Sequence, residues 1–184
     1  MSMIPTRERW RSRLPHWEVE GHWHFVTIRC HGSLPAVAKL KLREIHTSLA
    51  EIDPQSEAFQ QLQRRYFLTT EKYLDAVIAM GDEGWLVGEA TVMPNHIHLL
   101  ILRQNSDFSL KEILERFKGR SARWINQALG RSGRFWQEDW FDRWMRHEGE
   151  LTKTIDYIRN NPVKAKLVSE WKDYRWRISN QAEL

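Results

Sequence analysis

The 184 residues carry 28 Lys and Arg against 24 Asp and Glu, a net charge of +4, with 41% hydrophobic and 28% charged residues. That balance suits one globular unit with a proper core, and no apolar run approaches the length of a membrane-spanning helix. Cys30 is the only cysteine, which excludes an internal disulfide framework and a cysteine-based zinc cluster; a metal would need His, Asn, Asp or Glu.

The opening run MSMIPTRERWRSRLPHW has no apolar stretch of the secretory kind, so a cytoplasmic location is expected. Residues 1–20 read as a basic N-terminal arm and residues 21–184 as a single domain. Gly21 to Cys30, GHWHFVTIRC, alternates β-branched and aromatic residues as a strand does. His22, His24, Val26 and Ile28 then share one face, and Trp23, Phe25 and Thr27 the other. A helix is expected from about Ala36 to Ala50, opened by Ser33, Leu34 and Pro35 and ended by Asp53 and Pro54. A second helical stretch covers about Ser56 to Met80, with a break near Leu68 to Thr70, and Gly81 and Gly84 close it. Trp85 to Met93 and His96 to Leu102 read as strands interrupted by Pro94 and Asn95, either adjacent or one bent ribbon.

Ser109 with Glu112 three residues on is a capping box, and Gly130 follows the helix that it opens. Leu110, Ile113, Leu114, Phe117, Ile125, Ala128 and Leu129 supply the apolar stripe of that helix. A looped segment rich in Trp and Arg spans about Arg131 to His147. The last helix runs from about Glu148 to Asn160 with Leu151, Ile155 and Ile158 on its buried side. Asn160, Asn161 and Pro162 read as its end, since proline disfavours a helical conformation at the residue before it.

Charge is uneven along the chain. Residues 1–100 hold 11 basic and 12 acidic side chains, residues 101–184 hold 17 and 12. Arg116, Lys118, Arg120, Arg123, Arg131 and Arg134 form a run without an acid, suited to phosphates or simply to a solvated helix face. Trp124, Trp136, Trp140 and Trp144 lie in or near this basic half, where an indole can stack on a base or pack in the core.

Two short segments carry the chemistry. In MPNHIHLL the strand period of two puts His96 and His98 on one face, where two imidazoles can share a cation. The pair alone equally suits two satisfied structural histidines. Tyr157 and Asn161, in DYIRNNP, stand one helical turn apart at the edge of the apolar stripe, where a nucleophile or an ordinary amphipathic rim residue belongs.

Taken together and in order, these blocks resemble the REP-associated tyrosine transposases, a branch of the single-tyrosine HUH transposases of insertion sequences. MPNHIHLL resembles the HUH signature, RFWQEDWFDR and YIRNNPVKAKLV the two later blocks, and PHWEVEGHWHFVTIRCHGSLP the opening strand region. The resemblance runs from about residue 15 to residue 176. It implies an α+β, ferredoxin-like domain with a central antiparallel sheet flanked by helices. It also implies a metal site on His96, His98 and Asn161 for a divalent cation, Mg2+ or Mn2+, and Tyr157 as nucleophile. The implied partner is single-stranded DNA with REP-type hairpins, with no membrane and a monomeric or homodimeric protein.

Such a site suits the reaction. Only about one free tyrosine in a thousand is phenolate at pH 7, so attack on phosphorus needs help. A cation can polarise the phosphate and leave Tyr157 to form a 5'-phosphotyrosine link, which conserves the bond for strand joining. Lys118, Arg120, Arg123, Arg143 and Arg146 are the expected backbone contacts, and Arg7, Arg9, Arg11 and Arg13 read equally as an arm for a groove or hairpin stem and as a disordered basic tail. Two other readings compete: an inactive or domesticated module that only binds single-stranded nucleic acid, and a metallohydrolase with a water nucleophile.

Overall fold

Alternating side chains place one row of each strand under helices and the other toward a second layer, and the whole architecture follows from that division. The computed structural model describes residues 6–31, 71–128, 130 and 132–180. Strands β1 (Thr6–Arg11) and β2 (Pro15–Val19) form a hairpin of their own. Strands β3 (His24–Arg29), β4 (Trp85–Met93), β5 (His96–Arg103), β6 (Phe141–Trp144) and β7 (Arg177–Ser179) make an antiparallel sheet in the order β6-β3-β5-β4-β7. The helices are α1 (71–82), α2 (Leu110–Ala128) and α3 (Glu148–Lys164), followed by a 3-10 turn at Trp171–Asp173.

With β7 set aside, β3, β4, β5 and β6 lie as fourth, first, third and second, α1 preceding the second strand and α2 joining the third to the fourth. That is the ferredoxin-like α+β arrangement expected from the sequence. The strands foreseen at 85–93 and 96–102 are adjacent, joined by the turn at Pro94 and Asn95, with Met93 opposite His96 and Thr91 opposite His98. The helix foreseen at 36–50, the start of the following helical stretch, Leu129 and Tyr66 lie outside the described residues.

One face of the sheet is the main core. Val26 and Ile28 of β3, Ala90 and Val92 of β4, and Ile97, Leu99 and Ile101 of β5 pack with Ala76, Val77 and Met80 of α1 and with Ile113, Leu114 and Phe117 of α2. The capping box forms as expected: Ser109 Oγ accepts from the Glu112 N–H at 3.3 Å, and Glu112 Oε2 accepts from the Ser109 N–H at 2.8 Å. Ala128 is exposed instead of completing the apolar stripe, because Ile125 is the last position of α2 that reaches the core. Gly84 makes the turn into β4 with φ +83, and a Cβ there would lie 2.7 Å from the Asn105 carbonyl carbon, so only glycine fits.

The opposite face carries a smaller cluster, Phe25 and Leu100 with Trp23 and Met145, covered by Leu151, Ile155 and Ile158 of α3. Helix α3 does not stop at Asn160; it runs through Pro162 to Lys164. Proline removes only the bond that its N–H would give to Ile158, and it comes so near the end that Ala165 and Leu167 still close the last turn on Asn161 and Pro162. Pro162 is itself buried. The partly buried Arg159–Glu89 ion pair, joined by Ser179 Oγ at 2.7 Å from Glu89, ties α3 to β4 and β7. Strands β6 and β7 were not foreseen. In β6 the residues alternate between exposed and half-buried instead of apolar and polar, and β7 is only three residues long.

The described part of the segment read as a basic arm, from Thr6 on, forms the β1–β2 hairpin and packs on β6. His16 is buried with Nε2 2.9 Å from Asp139 and Nδ1 bonded to Asp142, stacked on Trp10 and tilted against Trp140. Glu18 accepts from the Leu110 N–H at 2.7 Å, at the positive start of α2, and pairs with Arg103 at 2.8 Å.

His24 gives the fold an acid-sensitive point. Its Nε2 accepts from the Val19 N–H at 3.1 Å, and burial, reinforced by the nearby His22, lowers its pKa to about 4. Above pH 6.5 the ring is neutral folded and unfolded. As pH falls from 6.5 toward 4 the unfolded chain takes up a proton that the folded one refuses, so stability is lost across that window, by about 2 kcal/mol between pH 7 and pH 5 from this residue. Urea titrations at the two pH values should show a clearly smaller loss for His24→Gln, whose amide oxygen can still accept from Val19. An equal loss in both proteins would refute the assignment.

Candidate active site

The second face of the sheet brings the chemistry-bearing residues together. His98 of β5 lies opposite Thr27 of β3, and His98 Nδ1 is 2.9 Å from Thr27 Oγ1. His96 Nδ1 is 2.8 Å from Asn95 Oδ1, and the two Nε2 atoms are 3.0 Å apart. A carbonyl oxygen can only accept, so His96 Nδ1 carries the proton and its Nε2 is a lone pair; the Thr27 hydroxyl can set His98 the same way. Two ring nitrogens that close share a proton in a hydrogen bond or, when both rings carry their proton on Nδ1, can turn both lone pairs to one cation.

Electrostatics agree with that reading. Burial, with the Arg29 charge beside it, lowers the His96 pKa to about 4. Burial, then the neighbouring His96, hold His98 well below the usual histidine range, opposed in part by a hydrogen bond with Asn161. Both rings therefore stay neutral, the form that binds metal. Among the described residues no three His, Cys, Asp or Glu side chains gather into a metal cluster. The remaining donor is the Asn161 amide: its Nδ2 donates to the Tyr157 carbonyl at 3.2 Å, which leaves the oxygen for the His98 ring or a cation. The donor set of two neutral imidazoles and an amide oxygen fits a divalent ion.

Tyr157 stands on α3 with its ring centroid 5.3 Å from that of His98 and 5.8 Å from Phe25, and Phe25 in turn stacks on His98 at 5.5 Å. Lys164 lies 5.4 Å from the Tyr157 ring. At 43% exposure Tyr157 is open to a substrate. Of the other described tyrosines, Tyr73 is buried against Trp136 on the far face of the sheet, and Tyr174 is buried with its hydroxyl donating to the Val92 carbonyl at 2.6 Å.

The expected DNA contacts divide. Helix α2 packs against the face opposite the histidines, so Lys118, Arg120 and Arg123 lie across the sheet from Tyr157. Lys118 donates to the Glu138 carbonyl at 2.5 Å, and Arg120 pairs with Glu83 at 2.6 Å, a carboxylate it shares with Arg116. Arg143 lies opposite Phe25 in the ladder, on the histidine face, and pairs with Glu150 of α3. Arg146 is exposed and lies 5.5 Å from the Trp144 ring. Trp136 and Trp140 are core residues at 4% and 6% exposure and offer no surface for a base.

Sequence reasoning passed over Arg29. It lies opposite His96 in the ladder and is exposed, and its charge acts on both histidines. Alternation alone places Arg29 with Phe25 and Thr27; its meaning needed the knowledge that β3 lies beside β5.

The site thus sets paired histidines on a central strand of a ferredoxin-like sheet, with an exposed tyrosine on the helix above. The model of a family described as "Transposase IS200 like" matches residues 63–161, more than half of the chain, and the chain belongs to that family. A solved structure of a REP-associated tyrosine transposase bound to a REP hairpin is similar, with a TM-score of 0.57 and 18% identity over 91% of this chain and 82% of that chain. No curated protein matches. Among the described residues no helix is long and apolar enough to cross a membrane.

Proposed function

We propose that the protein is a metal-dependent single-tyrosine HUH transposase that cuts and rejoins single-stranded DNA bearing REP-type hairpins. The observation that carries this reading is the meeting of Tyr157 with His98 and Asn161, an exposed phenol beside two imidazoles whose Nε2 atoms lie 3.0 Å apart. His96, His98 and Asn161 would hold Mg2+ or Mn2+. When bound, the ion supplies Lewis acidity toward a non-bridging oxygen of the scissile phosphate. The Tyr157 oxygen attacks phosphorus, its proton is released, the bond to the 3'-oxygen breaks, and that oxygen takes a proton to become a hydroxyl. The product is a 5'-phosphotyrosine, and reversal with a different 3'-hydroxyl joins strands.

Arg29 and Arg143 are best situated to hold phosphates near the reacting one, while Lys118, Arg120, Arg123 and Arg146 would serve more distant parts of the DNA. A cytoplasmic protein, active as a monomer or a homodimer, suits this activity. A hairpin with unpaired flanks should be bound and cut better than the matching duplex, because the duplex must open at a cost of a few kcal/mol before a single phosphate reaches Tyr157. Incubation with Mn2+ and denaturing electrophoresis will test this: a covalent adduct with the hairpin substrate is expected. Cleavage without an adduct would favour a water nucleophile, binding without cleavage an inactive module, and equal cutting of the duplex would remove the single-strand requirement.

A further inference from the structure

The histidine face is not fully covered. Helix α3 lies over β4 and β5 and reaches the half-buried Phe25 of β3, and toward the β6 edge the face ends in an open strip of Arg29, Phe141 and Arg143 beside it. Phe141 lies opposite Thr27 in the ladder, the residue that holds His98, and its ring is 6.0 Å from Phe25. At 46% exposure it is one of few large apolar side chains left in solvent among the described residues. Single exposed apolar residues are ordinary. This one continues a row, Phe141 to Phe25 to Tyr157, with edge-on contacts at both steps. Arg29 and Arg143 flank the row, so an apolar π surface is bordered by positive charge.

We propose that Phe141, backed by Phe25, is a stacking platform for the nucleobase next to the scissile phosphate, and that Arg29 and Arg143 hold the phosphates on either side of it. This rests on the reading of the substrate as single-stranded DNA. A base inside a duplex is covered on both faces by its neighbours and cannot lie flat on a side chain, whereas an unpaired one stacks on an aromatic ring without regard to its identity. The platform therefore selects for an unpaired nucleotide at the site of attack and fixes the position of its phosphate relative to Tyr157. Arg143 would exchange its partner Glu150 for a phosphate.

The test uses the full chain in EDTA, so that binding is read without chemistry. A hairpin oligonucleotide carries 2-aminopurine at successive positions of its unpaired flanks. Wild type should quench the probe at one or two positions. Phe141→Ala should lose that quenching and bind about tenfold more weakly. Phe141→Tyr should restore both, and Phe141→Leu, apolar but without a π face, should behave like Ala. Quenching that persists in Phe141→Ala, full recovery by Phe141→Leu, or no position-specific quenching in wild type would overturn the proposal. Adduct formation by wild type with Mn2+ is scored separately, so an absent adduct with intact quenching counts against the transposase reading alone.

Discussion

Tyr157→Phe is expected to abolish the covalent protein–DNA adduct while changing unfolding free energy by no more than about 0.5 kcal/mol. Among the described residues nothing bonds the Tyr157 hydroxyl, and the ring contacts with His98 and Phe25 are ring-face and ring-edge contacts that phenylalanine keeps. Removing one oxygen therefore removes the proposed nucleophile and little else. DNA binding should be almost unaltered, because the positive surface is untouched. A Tyr157→Phe protein that still cleaves at a comparable rate would move the chemistry to water.

His96→Ala and His98→Ala should each lower metal-dependent cleavage by about a thousandfold, the loss expected when several kcal/mol of charge stabilisation disappear from the transition state. Calorimetric titration with Mn2+ gives a readout independent of activity: wild type should bind one ion, and the variants should not bind it measurably. His98 is buried and bonded to Thr27, so its alanine variant needs a melting curve beside it; His96 is half-buried and the cleaner case. Hairpin affinity should survive in both, with the same steep fall as salt rises, since released counterions and not the metal dominate it. Unchanged cleavage in the double variant would remove the metal site.

Much of this site could be read from the chain because its parts are local. The two-residue period of β5 is enough to put His96 and His98 on one side, the four-residue step of α3 is enough to align Tyr157 with Asn161, and the capping box at Ser109 marks the start of α2. What joins the two local signals is the sheet order and the face on which α3 lies, and no short-range pattern encodes either. The same gap explains the basic residues. Lys118, Arg120 and Arg123 cluster in sequence, but α2 spends its apolar stripe on the face away from the histidines. Arg29 and Phe141 are far apart in sequence and become neighbours of the site only through the β6-β3-β5 pairing. The segment around β6 stayed illegible because Asp139 and Asp142 are used by His16, a long-range contact that breaks the alternation of a strand. Pro162 misled in the usual direction: a helix can continue past a proline when only its last turn follows.

The most direct measurement is the identity of the tyrosine that carries DNA. The protein would be incubated with Mn2+ and a hairpin substrate, the adduct trimmed with nuclease, and the peptides sequenced by mass spectrometry. A nucleotide on the peptide containing Tyr157, absent from Tyr157→Phe, is the predicted result. A nucleotide on Tyr66, Tyr73 or Tyr174, or an adduct that persists without the Tyr157 hydroxyl, would contradict the account.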